Sequence, residues 1–188
     1  HINSLRSKFD IPKIINGIKA LGLTLIVDPM HGSAAGCIGD LLGAKADGLV
    51  KEIRAERDPL FGGNPPEPLA KYINQLIETV KVSREAGKPA LGLVFDGDGD
   101  RLGVVTTKGK IIYPDQLMMI FAEDILEKNK KGTIIFDVKC SDHLPKIIEA
   151  NHGSPIMSPT GHFHIKKKIK EHNALLGGEM SGHIFFND

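Results

Sequence analysis

Two short apolar runs, residues 23–27 and 91–95, each lead directly into an aspartate. Such runs, bounded by loop-forming residues, are typical of buried β-strands. Between them, six apolar residues recur at helical spacing, and Pro68 stands where the first turn of the helix is expected. The six are Leu69, Tyr72, Ile73, Leu76, Ile77 and Val80. The pattern predicts a strand, a helix and a second strand, with an acidic loop after each strand.

The rest of the chain continues this alternation. Residues 102–106 and 110–113 flank a turn with Lys108 and Gly109, which predicts a β-hairpin. A second round of helices and strands follows. Helices are expected at 115–127, 144–150 and 165–171, and strands at 133–138 and 155–157. Two further apolar runs lie at 174–176 and 184–186. Asp115 is the expected N-cap of the first of these helices. We therefore predict an α/β fold of two successive domains with similar mixed sheets, residues 1–109 and 110–188, the second incomplete at its C-terminal end.

The charge balance argues against a polyanionic partner. Lys and Arg total 24 against 23 Asp and Glu, a net charge of +1, so neither nucleic acid nor an anionic membrane is expected. The basic stretch 160–172 contains a single aromatic residue, Phe163, and is expected to be a solvated helix face. No apolar run approaches the roughly 20 residues that span a bilayer. With two cysteines, no secretory signal and no initiating Met, we expect a cytoplasmic location and a chain cut from a longer protein.

The strongest candidate site is the acidic loop after the second strand. Asp96, Asp98 and Asp100 alternate with glycines and are followed by Arg101. Three carboxylates this close repel one another unless a cation lies between them, and all-oxygen ligands favour Mg²⁺ or Mn²⁺ over Zn²⁺. An EF-hand is excluded because Arg101 and Thr107 stand where that loop needs Gly and Glu. The alternative is a solvated acidic turn.

Weaker candidates lie in the second half of the chain. Glu179, Ser181 and His183 share a glycine-rich turn whose carboxylate, hydroxyl and imidazole suit a polyol, although such a turn is also common in ordinary loops. Lys139 directly follows a predicted strand and could balance a phosphate or act as an acid or base. His162 follows Gly161 in an expected loop and is too isolated from cysteines and other histidines for a zinc site.

Four motifs together resemble the α-D-phosphohexomutase family, specifically its bacterial phosphomannomutase/phosphoglucomutase branch. They are Phe-Asp-Gly-Asp-Gly-Asp-Arg at 95–101, Phe-Asp-Val-Lys-Cys at 136–140, Thr-Gly-His at 160–162 and Gly-Glu-Met-Ser-Gly-His at 178–183. In that family four domains surround one cleft. The resemblance implies that this chain is the second domain and most of the third, with domains 1 and 4 missing.

The resemblance also implies a role for each candidate residue. Asp96, Asp98 and Asp100 would hold Mg²⁺ against a phosphoserine, with Arg101 beside them. Lys139 and His162 would be acid or base groups near the transferring oxygen, while Glu179 and Ser181 would hold sugar hydroxyls with His183 beside them. The implied reaction interconverts hexose 1-phosphate and hexose 6-phosphate through a bisphosphorylated intermediate. No segment resembles the family's phosphoserine loop or its fourth-domain phosphate loop, so this chain alone is expected to be inactive.

Two other functions and the choice of sugar stay open at this stage. In a haloacid-dehalogenase-type phosphatase Asp96 would be the nucleophile, but Gly99 and Asp100 do not fit that loop. A non-catalytic module that binds metal or sugar phosphate would not need Lys139 and His162. The Gly-Glu-Met-Ser-Gly loop, with Met180 at its centre, resembles that of the branch that accepts both mannose and glucose phosphates. The segment at residues 61–68 instead resembles that of glucose-directed relatives.

Overall fold

A computed structural model of the chain describes residues 2–187. The chain divides into two compact units, His1–Ile111 and Ile112–Asp188. Each unit contains one mixed β-sheet with helices on both faces. In residues 2–187, no helix has the length and apolar character needed to cross a membrane.

The first unit is built on a five-stranded sheet. Its helices are α1 (Ile2–Lys8), α2 (Ile11–Ala20), α3 (Cys37–Leu42) and α4 (Asn74–Glu85), with short 3-10 helices at Ala44–Ala46, Phe61–Gly63 and Ala70–Tyr72. Its strands are β1 (Thr24–Asp28), β2 (Val50–Glu52), β3 (Ala90–Phe95), β4 (Leu102–Val105) and, at the boundary, β5 (Ile111–Ile112). The strand order is β2-β1-β3-β4-β5, in which β1 is parallel to β2 and β3, and β4 is antiparallel to β3.

The second unit contains a four-stranded sheet. Its helices are α5 (Pro114–Lys128), α6 (His143–Ala150) and α7 (His162–His172), and its strands are β6 (Thr133–Asp137), β7 (Ser154–Ser158), β8 (Leu176–Gly178) and β9 (Ile184–Phe186). The order is β7-β6-β8-β9, with β6 parallel to β7 and β8, and β9 antiparallel to β8.

The two units repeat one arrangement. In each, the first strand lies between the second and the third, which are both parallel to it, and the next strand is antiparallel to the third. Helices α2 and α3 pack on one face of the first sheet, and α5 and α6 pack on one face of the second. Helix α4 or α7 covers the opposite face. The prediction of an α/β fold with two similar mixed sheets is confirmed.

Alternation along the central strands explains the two-faced cores. In β1, the side chain of Ile26 packs with α4, whereas those of Leu25 and Val27 pack with α2 and α3. In β6, Ile134 and Phe136 pack with α5 and α6, whereas Ile135 packs with α7. Successive side chains of a strand point to opposite faces, so a continuous apolar run is what a sheet covered on both faces requires.

The helix expected from Leu69 onward begins later than the spacing suggested. Leu69 is extended and half-exposed, a 3-10 turn occupies Ala70–Tyr72, and α4 starts at Asn74. Pro68 has no N–H to donate and follows a proline-rich segment, which keeps the chain extended. The buried apolar residues of this segment therefore begin at Ile73, directly before α4, and continue with Leu76 and Val80 within the helix.

The expected N-cap Asp115 is also wrong. Helix α5 begins at Pro114 after an extended Tyr113, whose backbone N–H donates to the Gln116 side chain. Proline is well suited to the first helical position because its fixed φ is helical and its missing N–H would have no partner there. Asp115 is buried instead, and its Oδ2 accepts a hydrogen bond from the Ser141 N–H at 3.0 Å.

The packing of α7 on β8 depends on a residue without a side chain. A Cβ at Gly177 would lie 2.6 Å from Ile169 Cδ1 and 2.8 Å from Ile165 Cγ2. We expect Gly177→Ala to lower the free energy of unfolding by about 1–3 kcal/mol, because α7 must shift to accept the methyl group. In urea titrations, the control Gly17→Ala, where α2 leaves space, should instead stabilise by about 0.5–1 kcal/mol. Equal effects of the two substitutions would contradict this account of the packing.

Candidate active site

The candidate residues lie at the carboxyl ends of the parallel strands, on loops or, for His162, at the start of α7. In both units a buried carboxylate ends the first strand of the sheet, Asp28 on β1 and Asp137 on β6. A second buried carboxylate directly follows the third strand, Asp96 after β3 and Glu179 after β8. Ligand sites of open α/β sheets form at this edge. The Asp96 group belongs to the first unit and the Glu179 group to the second.

The acidic loop is wound around Asp96. Asp96 Oδ1 accepts hydrogen bonds from the backbone N–H groups of Gly99, Asp100 and Arg101, at 3.1, 3.0 and 3.1 Å. Asp98 and Asp100 are exposed, and each of the three carboxylates offers an oxygen within 4.8 Å of the others. One buried anchor and two exposed carboxylates fit a hard cation such as Mg²⁺ or Mn²⁺, which binds few protein groups and keeps water in its shell.

The electrostatics of this loop also fit a cation. Burial raises the pKa of Asp96 above its usual value, and the neighbouring Asp98 and Asp100 act in the same direction. The hydrogen bond from the Arg101 N–H and the Arg101 guanidinium, whose Nε lies 3.0 Å from Asp96 Oδ2, oppose this rise. The ionised cluster therefore carries an electrostatic penalty, which a bound cation would relieve.

The acidic loop rests on the loop that follows β1. The Ser33 N–H donates to the Gly97 carbonyl at 3.0 Å. That second loop is held by the buried Asp28, which pairs with the partly buried Arg54. Asp28 Oδ1 accepts from Arg54 Nε at 2.9 Å and from the Met30 N–H at 3.0 Å. The role of Asp28 is not evident from the sequence. The sequence signal that could have indicated this role is the equivalent aspartate, Asp137, at the end of β6 in the second unit.

In the second unit, Lys139 lies on an exposed turn after β6. The Lys139 N–H donates to Asp137 Oδ1 at 3.2 Å, and the Cys140 thiol donates to the same oxygen at 3.2 Å. Burial, reinforced by the hydrogen bond and charge of Asp137, raises the pKa of the Cys140 thiol far above its usual value, so the thiol stays protonated. Asp115 holds the next residue, Ser141, from helix α5.

Glu179 organises the tight turn between β8 and β9. Its N–H donates to the His183 carbonyl at 3.0 Å. Its side-chain Oε2 accepts from His183 Nδ1 at 2.8 Å and from Ser181 Oγ at 3.3 Å, and Oε1 accepts from the Gly161 N–H. His183 Nδ1 also lies 2.9 Å from Ser181 Oγ. Because a carboxylate can only accept, we assign the proton of a neutral His183 ring to Nδ1, which leaves Nε2 as its acceptor.

The sequence predicted that His162 lies in a loop, but His162 is the first residue of helix α7. Helix α7 starts immediately after Gly161, whose N–H is bound by Glu179. The exposed His162 ring lies 6.2 Å from the His183 ring, centroid to centroid. The structure thus brings His162, Ser181 and His183 together around Glu179. The Lys139 turn is tied to this group because the Met180 N–H also donates to Asp137 Oδ1, at 3.3 Å.

Both halves of the chain match a known family. Residues 1–109 match the family model for phosphoglucomutase/phosphomannomutase alpha/beta/alpha domain II, and residues 113–188 match the model for alpha/beta/alpha domain III. The chain therefore belongs to the phosphoglucomutase/phosphomannomutase family, which confirms the resemblance inferred from its motifs. The match favours this family over the haloacid-dehalogenase alternative.

Individual relatives agree. The chain is 46% identical over 172 residues to a phosphomannomutase/phosphoglucomutase of Pseudomonas syringae pv. tomato, covering 91% of the chain and 36% of that protein. It is 34% identical over 171 residues to a phosphomannomutase of Methanocaldococcus jannaschii, covering 90% and 37%. A crystal structure of a family protein from Burkholderia thailandensis has 41% identity and a TM-score of 0.80, covering 88% and 35%. The chain thus spans about a third of the length of these relatives.

The seating of the acidic loop gives a testable prediction. A Cβ at Gly32 would lie 2.5 Å from the Gly97 carbonyl oxygen and 2.9 Å from Gly97 Cα, both backbone atoms. We expect Gly32→Ala to cost about 1–3 kcal/mol of stability and to displace the acidic loop. Amide NMR shifts of residues 96–101 report the displacement. Gly39→Ala, which meets no atom within 4 Å, is the control, and unchanged loop shifts in Gly32→Ala would refute the contact.

Proposed function

We propose that this chain supplies the metal-binding and sugar-binding loops of a phosphohexomutase that interconverts hexose 1-phosphate and hexose 6-phosphate, of mannose, glucose or both. The observation that carries the proposal is the cluster of three carboxylates at a strand end in a chain that matches domains II and III of this family. We assign residues 1–109 to the metal-binding domain and 110–188 to the sugar-binding domain. Since the chain spans about a third of its relatives, the activity belongs to a longer protein.

In this proposal Asp96, Asp98 and Asp100 hold Mg²⁺, with Arg101 beside them. When bound, the cation supplies neutralisation of negative charge at a phosphoryl group. Arg101 adds a planar cationic group that suits phosphate oxygens. Asp96 keeps the turn wound through its three backbone hydrogen bonds, so the exposed Asp98 and Asp100 are positioned before any ligand arrives.

The second unit supplies the groups for the sugar and for proton transfer. Lys139 is exposed and can balance the charge of a phosphate, and it stays a candidate acid or base together with His162. His183 joins them, because Glu179 fixes its Nδ1 proton and so directs Nε2 to accept or return a proton. Ser181 is exposed and can bond a sugar hydroxyl directly, whereas Glu179 is buried with both oxygens engaged and acts by orienting its neighbours.

The proposed cycle uses a phosphoserine in another part of the longer protein. Its phosphoryl group passes to the free hydroxyl of the hexose phosphate, whose proton goes to an acid/base group of this chain. The bisphosphorylated sugar then returns its other phosphoryl group to the serine, and the leaving oxygen takes a proton back. Domains 1 and 4 are the proposed partners. A cytoplasmic location fits the two unpaired cysteines, Cys37 and Cys140.

Metal binding tests the first unit of this chain directly. We expect Mn²⁺ or Mg²⁺ to bind, and Asp98→Asn or Asp100→Asn each to raise the dissociation constant at least about tenfold, because each removes a charged ligand. Calorimetric titration measures both values. Asp47→Asn, which changes an exposed carboxylate of the same unit, should leave the affinity unchanged. Equal affinity in all variants would mean that the cluster is a solvated acidic turn.

Turnover by the full-length gene product tests the whole proposal. With Mg²⁺ and a hexose bisphosphate primer, glucose 1-phosphate and mannose 1-phosphate should both be isomerised, with kcat/KM values within about tenfold of each other, or about 1.4 kcal/mol. His183→Asn should lower kcat by about 10²–10⁴-fold if the imidazole transfers a proton. The 188-residue chain alone should be inactive. If neither sugar phosphate is isomerised, glucosamine phosphate is the next substrate to assay, and absence of turnover there as well would contradict the mutase proposal and favour a phosphatase.

A further inference from the structure

The carboxylate of Asp137 is fully buried at the end of β6 and accepts four hydrogen bonds. Its Oδ1 accepts from the Lys139 N–H, the Cys140 thiol and the Met180 N–H, at 3.2, 3.2 and 3.3 Å. Its Oδ2 accepts from Thr160 Oγ at 3.1 Å. A buried carboxylate needs such donors to offset its lost hydration. None of the roles assigned above uses this side chain.

The four donors come from three different loops, and each loop carries a candidate active-site residue. The first contains Lys139 itself, the second contains Thr160 and leads into His162 at the start of α7, and the third is the Glu179–His183 turn. Met180 and Thr160 are 43 and 23 residues away from Asp137 in sequence. A single carboxylate therefore bonds to three loops that lie far apart in sequence.

Comparison with the first unit separates a general structural role from a specific one. Asp28 occupies the same place on β1 and shares two features of Asp137. Asp28 accepts from the N–H of Met30, two residues later in the chain, as Asp137 does from Lys139. Asp28 also accepts from the side chain of Arg54, which lies two residues after the end of β2. Thr160, which donates to Asp137, likewise lies two residues after the end of β7. Among the described contacts, only Asp137 also binds the turn after the third strand.

We propose that Asp137 is a positioning residue, whose carboxylate fixes the Lys139 turn and the Glu179–His183 turn relative to each other and so holds the His183 imidazole in its orientation. The proposal rests on the proposed function for its meaning in catalysis. The geometry itself stands on the shared oxygen, since Lys139 N–H and Met180 N–H both donate to Oδ1. Met180 is the residue next to Glu179, and Glu179 binds His183 Nδ1. The Asp137–Met180 hydrogen bond therefore lies one residue from the group that orients His183.

The test uses NMR on the 188-residue chain, so it needs no turnover and its outcome is separate from that of the mutase assay. Ring ¹⁵N shifts of His183 in alkaline buffer report which nitrogen carries the proton, and amide exchange reports the Met180 hydrogen bond. In the unchanged chain we expect the Nδ1–H form and a protected Met180 amide. In Asp137→Ala we expect a mixture of the two ring forms and roughly tenfold faster exchange at Met180, for one lost hydrogen bond.

Two substitutions distinguish positioning from general stability. Asp115→Ala removes another buried carboxylate of the same unit, which holds Ser141 but does not bind the Met180 turn, so both Met180 and His183 should keep their signals. Asp137→Asn should restore the signals, because an amide oxygen can accept the three Oδ1 bonds while Thr160 accepts from its NH₂. If Asp137→Ala does not fold, Asp137→Ser keeps a polar group at the site but is too short to bond the Met180 nitrogen, and the same result is expected.

The opposing outcomes are equally specific. Unchanged His183 and Met180 signals in Asp137→Ala, or in Asp137→Ser, would overturn the proposal. Equal changes in Asp115→Ala would do the same, since they would reduce the effect to a general loss of stability. Failure of Asp137→Asn to restore the signals would show that charge, and not the hydrogen-bond geometry proposed here, is what matters at this position.

Discussion

Hydrogen bonds to buried carboxylates, at the carboxyl ends of the parallel strands, connect the loops that carry the candidate functional residues. Burying a carboxylate is costly unless donors surround it, and here the donors are backbone N–H groups of nearby loops together with side chains such as Thr160 and Cys140. Asp96 collects three such N–H groups from its own loop, and Asp137 collects donors from three loops. Each buried charge thus bonds to residues of one or more of these loops.

This arrangement divides the work between buried and exposed groups. Asp96 is buried and shapes the turn, while Asp98 and Asp100 on the same turn face solvent, where a cation can reach them. Glu179 is likewise buried and orients His183, while Ser181 on its turn is exposed. Ligands can therefore meet groups that are already in place, which lowers the ordering cost of binding.

Most strands of the fold follow from local sequence patterns. Most of the features that the sequence did not predict depend on contacts between residues far apart in the chain. Strand β9 matches its apolar run, and β1, β3, β6 and β7 each begin and end within one residue of the expected bounds, because runs covered on both faces are readable from sequence. The start of α4 was missed because proline geometry overrode the helical spacing. The proximity of the three carboxylates is local in sequence and was expected, whereas metal binding by them stays a prediction. The roles of Asp28 and Asp137 were not found, since their partners lie up to 26 and 43 residues away.

The repeated arrangement explains how one scaffold can serve two chemistries. Both units place a buried carboxylate directly after the third parallel strand and then turn into an antiparallel strand. After Asp96 the turn carries two further carboxylates, and a set of oxygen anions suits a hard cation. After Glu179 the corresponding turn carries a hydroxyl and an imidazole, which suit sugar hydroxyls and proton transfer. Because the scaffold fixes the buried residue, the few exposed residues that follow it decide what each turn can bind.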